Sequence, residues 1–326
     1  MSQPMIRIEG LTKSYGATQA LRGVSFEVPR GQVVGFLGPN GAGKSTTMKI
    51  LAGFVTPTAG RASVRGIDVL ADPVASRRLL GYLPENNPLY EEMMVKDFLD
   101  FVSEVRGIPK ARRAGQIRNA VERCGLKDVL GKDIHQLSKG YRQRVGLAQA
   151  IVHDPDVLIL DEPTTGLDPN QIVEIRSLVK ELGREKTVIL STHILSEVQS
   201  TCDRVLIIND GRLVADDTPE RLGKGEGGLV TVVLTSRTGG PLQADAVRAV
   251  LERVPGVTGV EVAEGEGGGT LGFHLRHGAE DIRRELFEAA VRHELCLLEV
   301  TRRHVSLEET FRKLTGGEDA RASLAA

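Results

Sequence analysis

The sequence has no long hydrophobic run and no marked excess of either charge. Its apolar runs are far shorter than the ~20 residues of a membrane-spanning helix. The first residues, MSQPMIRIEGLTKSYG, lack the apolar core of a signal peptide. The formal net charge of −1 argues against a nucleic-acid-binding protein, whose domain is usually basic. These absences favour a globular cytoplasmic protein, and 326 residues are enough for one large domain and a smaller one.

Potential metal ligands are also scarce. The three cysteines, Cys124, Cys202 and Cys296, are too widely separated for a metal site. We therefore expect them to be reduced thiols packed inside the protein. His274 and His277 share one short strand-like segment, and we expect both of them at the surface.

A glycine-rich segment between two apolar runs is the strongest indication of function in the sequence. Val33–Leu37 is typical of a buried strand, and the helical pattern STTMKILAG ends at Gly53. Between them, GPNGAGKS fits G-x-x-x-x-G-K-[ST], whose glycines let successive backbone N–H groups point at phosphate oxygens. Lys44 is expected to reach the β- and γ-phosphates of a nucleotide, and the Ser45 hydroxyl to bind Mg²⁺. The residues predicted to bind the nucleotide in this loop are Gly38, Pro39, Asn40, Gly41, Ala42, Gly43, Lys44, Ser45 and Thr46.

Two adjacent carboxylates at the end of another apolar run can complete such a site. Val157–Leu160 predicts a buried strand, and Asp161 at its end is placed to hold Mg²⁺ through water. Glu162 follows where the chain turns, so its carboxylate can face the γ-phosphate and orient a water molecule. A third apolar run ends at His193, on the sheet edge that carries ligands in parallel α/β folds. From there His193 can donate a hydrogen bond to the γ-phosphate.

The segment LSKGYRQRVGLAQA, residues 137–150, predicts a helix with an anion site at its start. Ser138 and Gly140 lie where the helix begins, and an Arg-rich amphipathic run follows. A serine N-cap followed by free backbone N–H groups is suited to an anion. An ordinary helix start without a ligand is the alternative, and the segment alone does not decide between the two.

Together these motifs resemble those of the ATP-binding-cassette (ABC) ATPases. Five motifs occur in the order and spacing of that family: GPNGAGKS at 38–45, LSKGYRQR at 137–144, LILDEP at 158–163, GLD at 166–168 and STH at 191–193. The resemblance covers roughly residues 5–222. It implies an α/β P-loop fold, with a mixed sheet and a helical subdomain, that binds ATP and Mg²⁺ and hydrolyses the ATP.

The resemblance also implies roles for individual residues outside the phosphate loop. The turn of Ser138, Lys139 and Gly140 is similar to the ABC signature, which binds the γ-phosphate of an ATP held by a second cassette. Tyr15 matches the aromatic residue that stacks on adenine. Asp168 matches the residue that links two cassettes across a dimer.

The predicted catalytic residues are Glu162, which matches the catalytic carboxylate of the family, and His193. Two segments depart from the commonest family pattern. Lys139 and Tyr141 stand where LSGGQ is common, and Glu85 in GYLPENNPLYEEM stands in place of a glutamine. The predicted Mg²⁺ ligands are Ser45, Glu85 and Asp161. Both departures resemble a bacterial subgroup of exporter ATPases, the ABC-2 type, and are most similar to its gliding-motility-associated members.

The pattern of elements changes twice along the chain. Residues 86–155 are mostly helical and predict a helical subdomain that carries the signature segment. The glycine-rich segment GKGEGGLV separates a cassette at 1–224 from a second domain at 228–316. The second domain follows the order β-α-β-β-α-β, so we expect a small α+β ferredoxin-like domain. The polar tail at 317–326 is expected to be disordered.

Three functions compete. The first is the ATPase subunit of a membrane transporter, expected to be an exporter. Because the chain shows no span, its permease subunits would be separate multi-span polypeptides. The ATPase would lie at the inner face of the cell membrane and pair with a second cassette, and we expect a homodimer. The second is a soluble ABC ATPase acting on ribosomes or DNA, although such proteins usually carry two cassettes or a long coiled-coil insertion. The third, another P-loop kinase or GTPase, is disfavoured because no Asn-Lys-x-Asp segment is present.

Overall fold

A computed structural model describes residues 3–224, 228–263, 269–278, 281–303 and 307–316. The chain forms two compact units. One reaches to Pro219 and also includes Leu314, and the other is Glu220–Lys313. The domain limits at 1–224 and 228–316 stay a prediction, as does the helical subdomain at 86–155. The predicted tail at 317–326 lies outside the described residues.

The strands and helices of the chain alternate for most of its length. The strands are β1 (Ile6–Tyr15), β2 (Thr18–Val28), β3 (Val33–Leu37), β4 (Ala59–Val64), β5 (Ile67–Asp68), β6 (Leu80–Leu83), β7 (Val157–Asp161), β8 (Thr187–Thr192), β9 (Arg204–Asn209), β10 (Arg212–Asp217), β11 (Gly228–Ser236), β12 (Val257–Ala263), β13 (Thr270–His277) and β14 (Leu295–Arg303). The α-helices are α1 (Lys44–Leu51), α2 (Pro73–Arg78), α3 (Val95–Val105), α4 (Lys110–Cys124), α5 (Lys139–Ile151), α6 (Pro169–Gly183), α7 (Leu195–Thr201), α8 (Pro219–Lys224), α9 (Ala244–Leu251), α10 (Arg283–Arg292) and α11 (Leu307–Thr315). None of these helices is long and apolar enough to cross a membrane.

The first unit contains a mixed six-stranded sheet in the order β10-β9-β3-β8-β7-β6. Its strands are parallel except for β10, which pairs antiparallel with β9. Every residue of β3, β7 and β8 is buried, as expected for parallel strands covered on both faces. A separate antiparallel sheet has the order β2-β1-β4-β5.

The register of the parallel strands brings three chain segments to one sheet edge. Leu37 at the end of β3 pairs with Thr192 on β8, and Ser191 pairs with Asp161 at the end of β7. The carboxyl ends of parallel strands share an edge, where α/β folds bind their ligands. The loops that follow β3, β7 and β8 therefore start side by side.

Three helices of the predicted helical segment, α3, α4 and α5, follow β6. The buried face of α3 consists of Val95, Phe98, Leu99, Val102 and Ser103, which recur at helical spacing. Helix α5 packs on β6 so closely that a Cβ on Gly81 would lie 2.1 Å from the carbonyl oxygen of Ala150.

The second unit has the expected ferredoxin-like topology. Its four strands are antiparallel in the order β12-β13-β11-β14, and α9, α10 and the residues next to these helices supply the rest of its core. The expectation for His277 is wrong. His277 is only 2% exposed, because it shares the inward face of β13 with Phe273 and Leu275. His274 on the opposite face is half-buried, with Nδ1 3.0 Å from Thr231 Oγ1.

The cysteines follow the expectation of packed thiols in two cases of three. Cys124 and Cys202 are buried, whereas Cys296 on β14 is exposed. Burial raises the pKa of Cys124 to about 12 and also raises the pKa of Cys202. The expectation was wrong for Cys296 because Leu295 and Leu297 on either side of it face the core, so strand alternation turns Cys296 to the opposite face.

The contact between Gly81 and α5 predicts that alanine substitutions at two glycines change the stability of the protein in opposite directions. Gly81→Ala should lower the stability of the protein by about 2 kcal/mol or more, because the methyl group would meet a backbone carbonyl that cannot move aside freely. Gly115, inside α4, has no atom within 4 Å of an added Cβ, so Gly115→Ala should stabilise by about 0.5–1 kcal/mol. Calorimetric melting of both variants and the wild type measures the effect. Equal melting temperatures for Gly81→Ala and the wild type would contradict this packing.

Candidate functional site

The loop between β3 and α1 is shaped by positions that admit no side chain. A Cβ on Gly38 would lie 2.3 Å from the carbonyl oxygen of Ile208. Gly43, the N-cap of α1, has a φ of +109°, and a Cβ there would lie 2.7 Å from the carbonyl oxygen of Ala20. The backbone can therefore curl tightly just before α1 only with glycine at both positions.

The ammonium group of Lys44 is buried beneath this loop. Its Nζ donates to the carbonyl oxygens of Gly38, at 2.8 Å, and Pro39, at 3.2 Å. It also lies 3.7 Å from Glu162 Oε1. Burial lowers the pKa of Lys44, although the carboxylates of Glu162 and Asp161 oppose this shift. A cation at the base of the loop is thus positioned to attract phosphate.

The carboxylate of Asp161 is completely buried and joins three segments. Its Oδ1 accepts hydrogen bonds from Ser45 Oγ, at 3.1 Å, and from Ser191 Oγ, at 2.5 Å. Its Oδ2 is buried and has no hydrogen-bond partner among the residues described. A buried carboxylate oxygen without a donor is unfavourable unless a cation or water reaches it. Asp161 Oδ2 and Ser45 Oγ are oxygen donors of the kind that can hold Mg²⁺.

Glu162 has an unusual backbone that turns the chain out of β7. Its φ is +50°, in the left-handed region. Its backbone N–H donates to Ser191 Oγ at 3.0 Å, which fixes the turn against β8. Because of this turn, the two neighbouring carboxylates serve one site instead of pointing to opposite faces of the sheet. The sequence predicts such a turn at this position.

His193 and Thr165 hold the carboxylate of Glu162. Glu162 Oε2 lies 2.9 Å from His193 Nδ1 and accepts a hydrogen bond from Thr165 Oγ1 at 3.1 Å. Burial alone would raise the pKa of Glu162, but the hydrogen bond and charge of His193, the charge of Lys44 and the Thr165 hydroxyl together lower it. The hydrogen bond to Glu162 raises the pKa of His193 in turn. Glu162 is therefore ionised at neutral pH and can accept a hydrogen bond or a proton.

These side chains surround a cavity of about 440 Å³ at the sheet edge. The lining residues are Asn40, Gly41, Gly43, Lys44, Ser45, Thr46, Glu85, Glu162, Thr165 and His193. Nine of these ten belong to the predicted site, and only Thr165 does not. Their roles in binding and catalysis stay predictions, but the structure brings them to one place.

The predicted residues Gly38, Pro39, Ala42 and Asp161 lie behind this lining. Gly38, Pro39 and Ala42 shape the loop. Asp161 contacts the lining of the cavity through the hydrogen bond that it accepts from Ser45. Tyr15, at the end of β1, is 49% exposed, with Lys13 Nζ 4.9 Å above the centre of its ring. Its ring is therefore accessible for stacking, although it does not line the cavity.

The signature turn is built on a helix start outside the cavity. Ser138 is the N-cap of α5, and its Oγ accepts from the backbone N–H of Tyr141. Lys139 is exposed, and its Nζ packs against Gly166, where an added Cβ would clash with it. Gly140 lies so close to the amide of Gln171 that a Cβ there would be 2.5 Å from Gln171 Cδ.

The loop after Glu162 continues into α6, whose N-cap is Asp168. Asp168 Oδ1 accepts from the backbone N–H of Gln171 at 3.0 Å. Within the same loop, the carbonyl oxygen of Pro163 accepts a hydrogen bond from Gln143 Nε2 at 2.8 Å. Helix α5 is therefore tied to the loop that carries Glu162. None of Ser138, Lys139, Gly140 and Asp168 lines the nucleotide cavity.

A buried group of hydrogen bonds lies behind the catalytic candidates and was not predicted from the sequence. Glu197 is 2% exposed; its Oε1 accepts from Thr164 Oγ1 and its Oε2 from Thr192 Oγ1, the latter at 2.7 Å. Thr164 follows Glu162 by two residues, and Thr192 precedes His193. The threonines in the segments TTG and STH were the indication of these hydrogen bonds that the sequence offered. Their shared partner, Glu197, lies on helix α7, and the sequence does not reveal how this helix packs.

The contact between Glu162 and His193 predicts that removing the carboxylate of Glu162 changes the pKa of His193. Glu162→Gln should lower the pKa of His193 towards its ordinary value of 6.5, because the hydrogen bond to the carboxylate is the largest cause of the increase. NMR titration of the histidine ring measures this, with His193→Gln identifying the signal. Glu85→Gln is the matched control and should leave the pKa unchanged. An unchanged His193 pKa in Glu162→Gln would contradict the contact.

The same pair predicts a pH window for stability. The raised pKa of His193 means that its contribution is complete below 6.5 and is lost as the pH rises through the folded-state pKa. The lowered pKa of Glu162 means that its contribution is present above 4.5 and is lost as the pH falls through its folded-state pKa. A double-mutant cycle of Glu162→Gln and His193→Gln should therefore give a larger coupling energy at pH 5.5–6 than at pH 9. A coupling that grows towards pH 9 would show that the pair is not an ion pair.

Comparison with known proteins agrees with the geometry. A profile of the family described as ABC transporter matches residues 21–165. The daunorubicin resistance ATP-binding protein DrrA3 of Streptomyces coeruleorubidus is 35% identical over 329 residues, which cover 100% of this chain and 100% of that protein. The Nod factor export ATP-binding protein I of Ralstonia nicotianae is 32% identical over 322 residues, which cover 97% of this chain and 95% of that protein.

Solved structures lead to the same family. A structure described as the ATP binding subunit of an ABC transporter matches with a TM-score of 0.61 at 32% identity, over 67% of this chain and 91% of that chain. The predicted fold class and ATPase activity are confirmed. The chain therefore belongs to the ABC transporter ATP-binding proteins, and it is an ATPase that binds and hydrolyses ATP.

Proposed function

We propose that this chain is the nucleotide-binding subunit of an exporter, that it dimerises on ATP and that it powers separate permease subunits at the inner face of the cell membrane. One observation carries the proposal. The residues suited to phosphate and to water line a single cavity, whereas the signature turn lies outside it on the same chain. A second cassette would bring the missing signature turn to this cavity. A homodimer satisfies both sites with one sequence.

Within one subunit, the phosphate loop and Lys44 hold the ATP phosphates. The buried ammonium group of Lys44 supplies positive charge, and the backbone N–H groups before α1 supply further donors. The ionised carboxylate of Glu162 accepts a hydrogen bond from the attacking water and orients it towards the γ-phosphate. His193 keeps that carboxylate in place through Nδ1, so its other ring nitrogen, Nε2, is available to the phosphate.

The residues around Asp161 fit a Mg²⁺ ion. Asp161 Oδ2 is the buried oxygen without a donor, and Ser45 Oγ lies beside the same carboxylate. Mg²⁺ would neutralise phosphate charge when it is bound there. Glu85 is exposed at the rim of the cavity, where its carboxylate adds negative charge facing the loop. It is the third predicted ligand, in place of the glutamine that is common in the family.

An apolar groove on the first unit is suited to the permease. It has a volume of about 510 Å³, and among its lining residues Phe54 and Val105 are 70% and 69% exposed. Pro84 and Pro88 also line the groove, whereas Glu85 between them lines the nucleotide cavity. One short segment thus borders both places. A permease segment seated in the groove would respond to changes around Glu85.

Two named relatives support an exporter over the alternative of a soluble ABC ATPase acting on ribosomes or DNA. DrrA3 is described as a daunorubicin resistance protein and the Ralstonia protein as a Nod factor export protein, and each matches nearly the whole chain. The net charge of −1 gives no electrostatic reason to bind nucleic acid. We place the chain in the ABC-2 exporter subgroup, near its gliding-motility-associated members, on the segments around Glu85 and Lys139 that depart from the common family pattern.

Two substitutions should separate ATP binding from hydrolysis. Glu162→Gln should slow hydrolysis by about 10²–10⁴-fold, because the water loses its acceptor, and should keep ATP binding. It should therefore accumulate an ATP-bound dimer. Lys44→Ala should weaken ATP binding by about tenfold or more, because a charged phosphate contact is lost. Gel filtration with ATP and Mg²⁺, together with an ATPase assay, measures both.

Lys44→Ala serves as the control for the dimer, since it should remain monomeric under the same conditions. A Glu162→Gln protein that stays monomeric with ATP and Mg²⁺ would refute ATP-driven dimerisation. One that hydrolyses ATP at the wild-type rate would refute the role of Glu162.

Lys139 should stabilise the ATP dimer specifically. It would add positive charge beside the start of α5, which faces the γ-phosphate of the second cassette in the proposed dimer. Lys139→Gly should weaken ATP-driven dimerisation, at low salt most of all, and leave the ATP affinity of the single subunit unchanged. Lys110→Gly is the matched control, because Lys110, like Lys139, is an exposed lysine at the first position of a helix. Equal dimerisation of Lys139→Gly and wild type at low salt would exclude a phosphate contact.

A further inference from the structure

Three arginines meet around a second cavity that shares no residue with the nucleotide cavity. Arg78 is the last residue of α2, Arg106 follows α3 and Arg112 lies in the first turn of α4. The cavity has a volume of about 370 Å³ and is also lined by Gly107, Ile108, Pro109, Gln116 and His153. We call it the arginine cavity. No carboxylate is among the residues that line it.

Arg106 is the unusual member of this group, because its half-buried side chain has no acidic partner among the described residues. Its Nη1 donates to the carbonyl oxygens of Arg77, at 3.1 Å, and Leu80, at 3.4 Å. Burial lowers the pKa of Arg106, and no carboxylate acts against that shift. An arginine stays protonated even so. A partly buried cation with only carbonyl partners is unfavourable, and a nearby anion would remove much of that cost.

The other two guanidinium groups stand at the exposed rim of the same cavity. Neither Arg78 nor Arg112 forms an ion pair with an acidic side chain in the described parts of the chain. His153 adds no charge, because burial and the neighbouring Arg106 lower its pKa to about 4. Its Nε2 lies 2.9 Å from the carbonyl oxygen of Leu80, the oxygen that Arg106 also uses. The cavity thus carries three like charges, which repel one another until an anion binds.

We propose that the arginine cavity binds a phosphate group, as a phosphate monoester, at a site separate from the nucleotide. Guanidinium groups offer planar pairs of N–H donors that match phosphate oxygens, and a monoester has the negative charge and the oxygens to satisfy several of them. The amide of Gln116 offers a further donor in the wall. The cavity volume leaves room for a small alcohol part of the ester beside the phosphate.

The position of the cavity suggests two sources for such a group. The arginine cavity shares Arg78, Arg106 and Gly107 with the apolar groove that we assign to the permease. A site beside a membrane partner can reach the headgroup of an anionic lipid, and a soluble phosphate ester has the same chemistry. Both sources present one phosphate to the same three arginines.

Titration calorimetry of the full chain with glycerol 3-phosphate tests the shared chemistry. ADP is kept saturating, so that the nucleotide cavity is filled. The variant combines Arg78→Ala with Arg112→Ala, and we call it the rim variant. It keeps Arg106 because that side chain donates hydrogen bonds to two backbone carbonyl oxygens. The matched control is Arg61→Ala with Arg253→Ala, which removes the same charge from two exposed arginines elsewhere. The rim variant should bind about tenfold more weakly than the wild type, and the control should bind like it.

Flotation with vesicles separates the two sources. Vesicles of phosphatidylcholine with phosphatidic acid, but not of phosphatidylcholine alone, should recruit the wild type if the phosphate belongs to a lipid. The rim variant should then lose recruitment while the control keeps it. Binding of glycerol 3-phosphate without recruitment supports the site and identifies a soluble ester.

Two results would overturn the proposal. One is that neither glycerol 3-phosphate nor phosphatidic acid vesicles bind the wild type. The other is that the rim variant and the control weaken both measurements equally, because that would be diffuse surface charge and not a site. Equal melting temperatures of the two double variants exclude unfolding as the cause of a difference.

Discussion

The buried carboxylate of Asp161 is the interaction on which the nucleotide site depends. One of its oxygens accepts hydrogen bonds from Ser45, at the start of α1, and from Ser191, on β8. Asp161 itself ends β7, so three chain segments that are far apart in sequence meet at one group. A buried carboxylate must be satisfied by nearby donors or cations. That requirement fixes the distance between the phosphate loop and the strand that carries the catalytic candidate.

The position of Glu162 follows from this arrangement. Ser191 donates to Asp161 and also accepts from the backbone N–H of Glu162, so one serine holds two successive residues. The left-handed turn at Glu162 then sends its carboxylate into the cavity. Behind it, Glu197 fixes both Thr164 and Thr192. The loop after β7 and the loop after β8 therefore cannot move independently without breaking buried hydrogen bonds.

The sequence predicted well where a local pattern and a single chain segment decide the structure. The phosphate loop, the strand ending at Asp161 and the helix capped by Ser138 needed only neighbouring residues, and the order of elements predicted the ferredoxin-like second unit. The burial of His277 was missed because strand alternation places it inward despite its polarity. Glu197 was missed because its partner Thr164 comes from a different loop, and the sequence does not contain that distance. Thr165 was missed although its partner Glu162 lies only three residues before it, because the sequence does not show which way the side chains of this loop point. The exposure of Cys296 follows from the face of β14 on which it lies, and the sequence alone does not show which face of that strand packs in the core.

The uneven burial of the three cysteines has a practical consequence for work in solution. Cys124 and Cys202 are buried thiols with raised pKa values, so little of either is present as the reactive thiolate. Cys296 lies exposed on β14, in the second unit, remote in sequence from every residue of the nucleotide cavity. A maleimide dye would therefore attach to the native chain at one defined place. A dye on Cys296 would therefore allow single-molecule fluorescence without an engineered cysteine and without a change to the residues that line the nucleotide cavity.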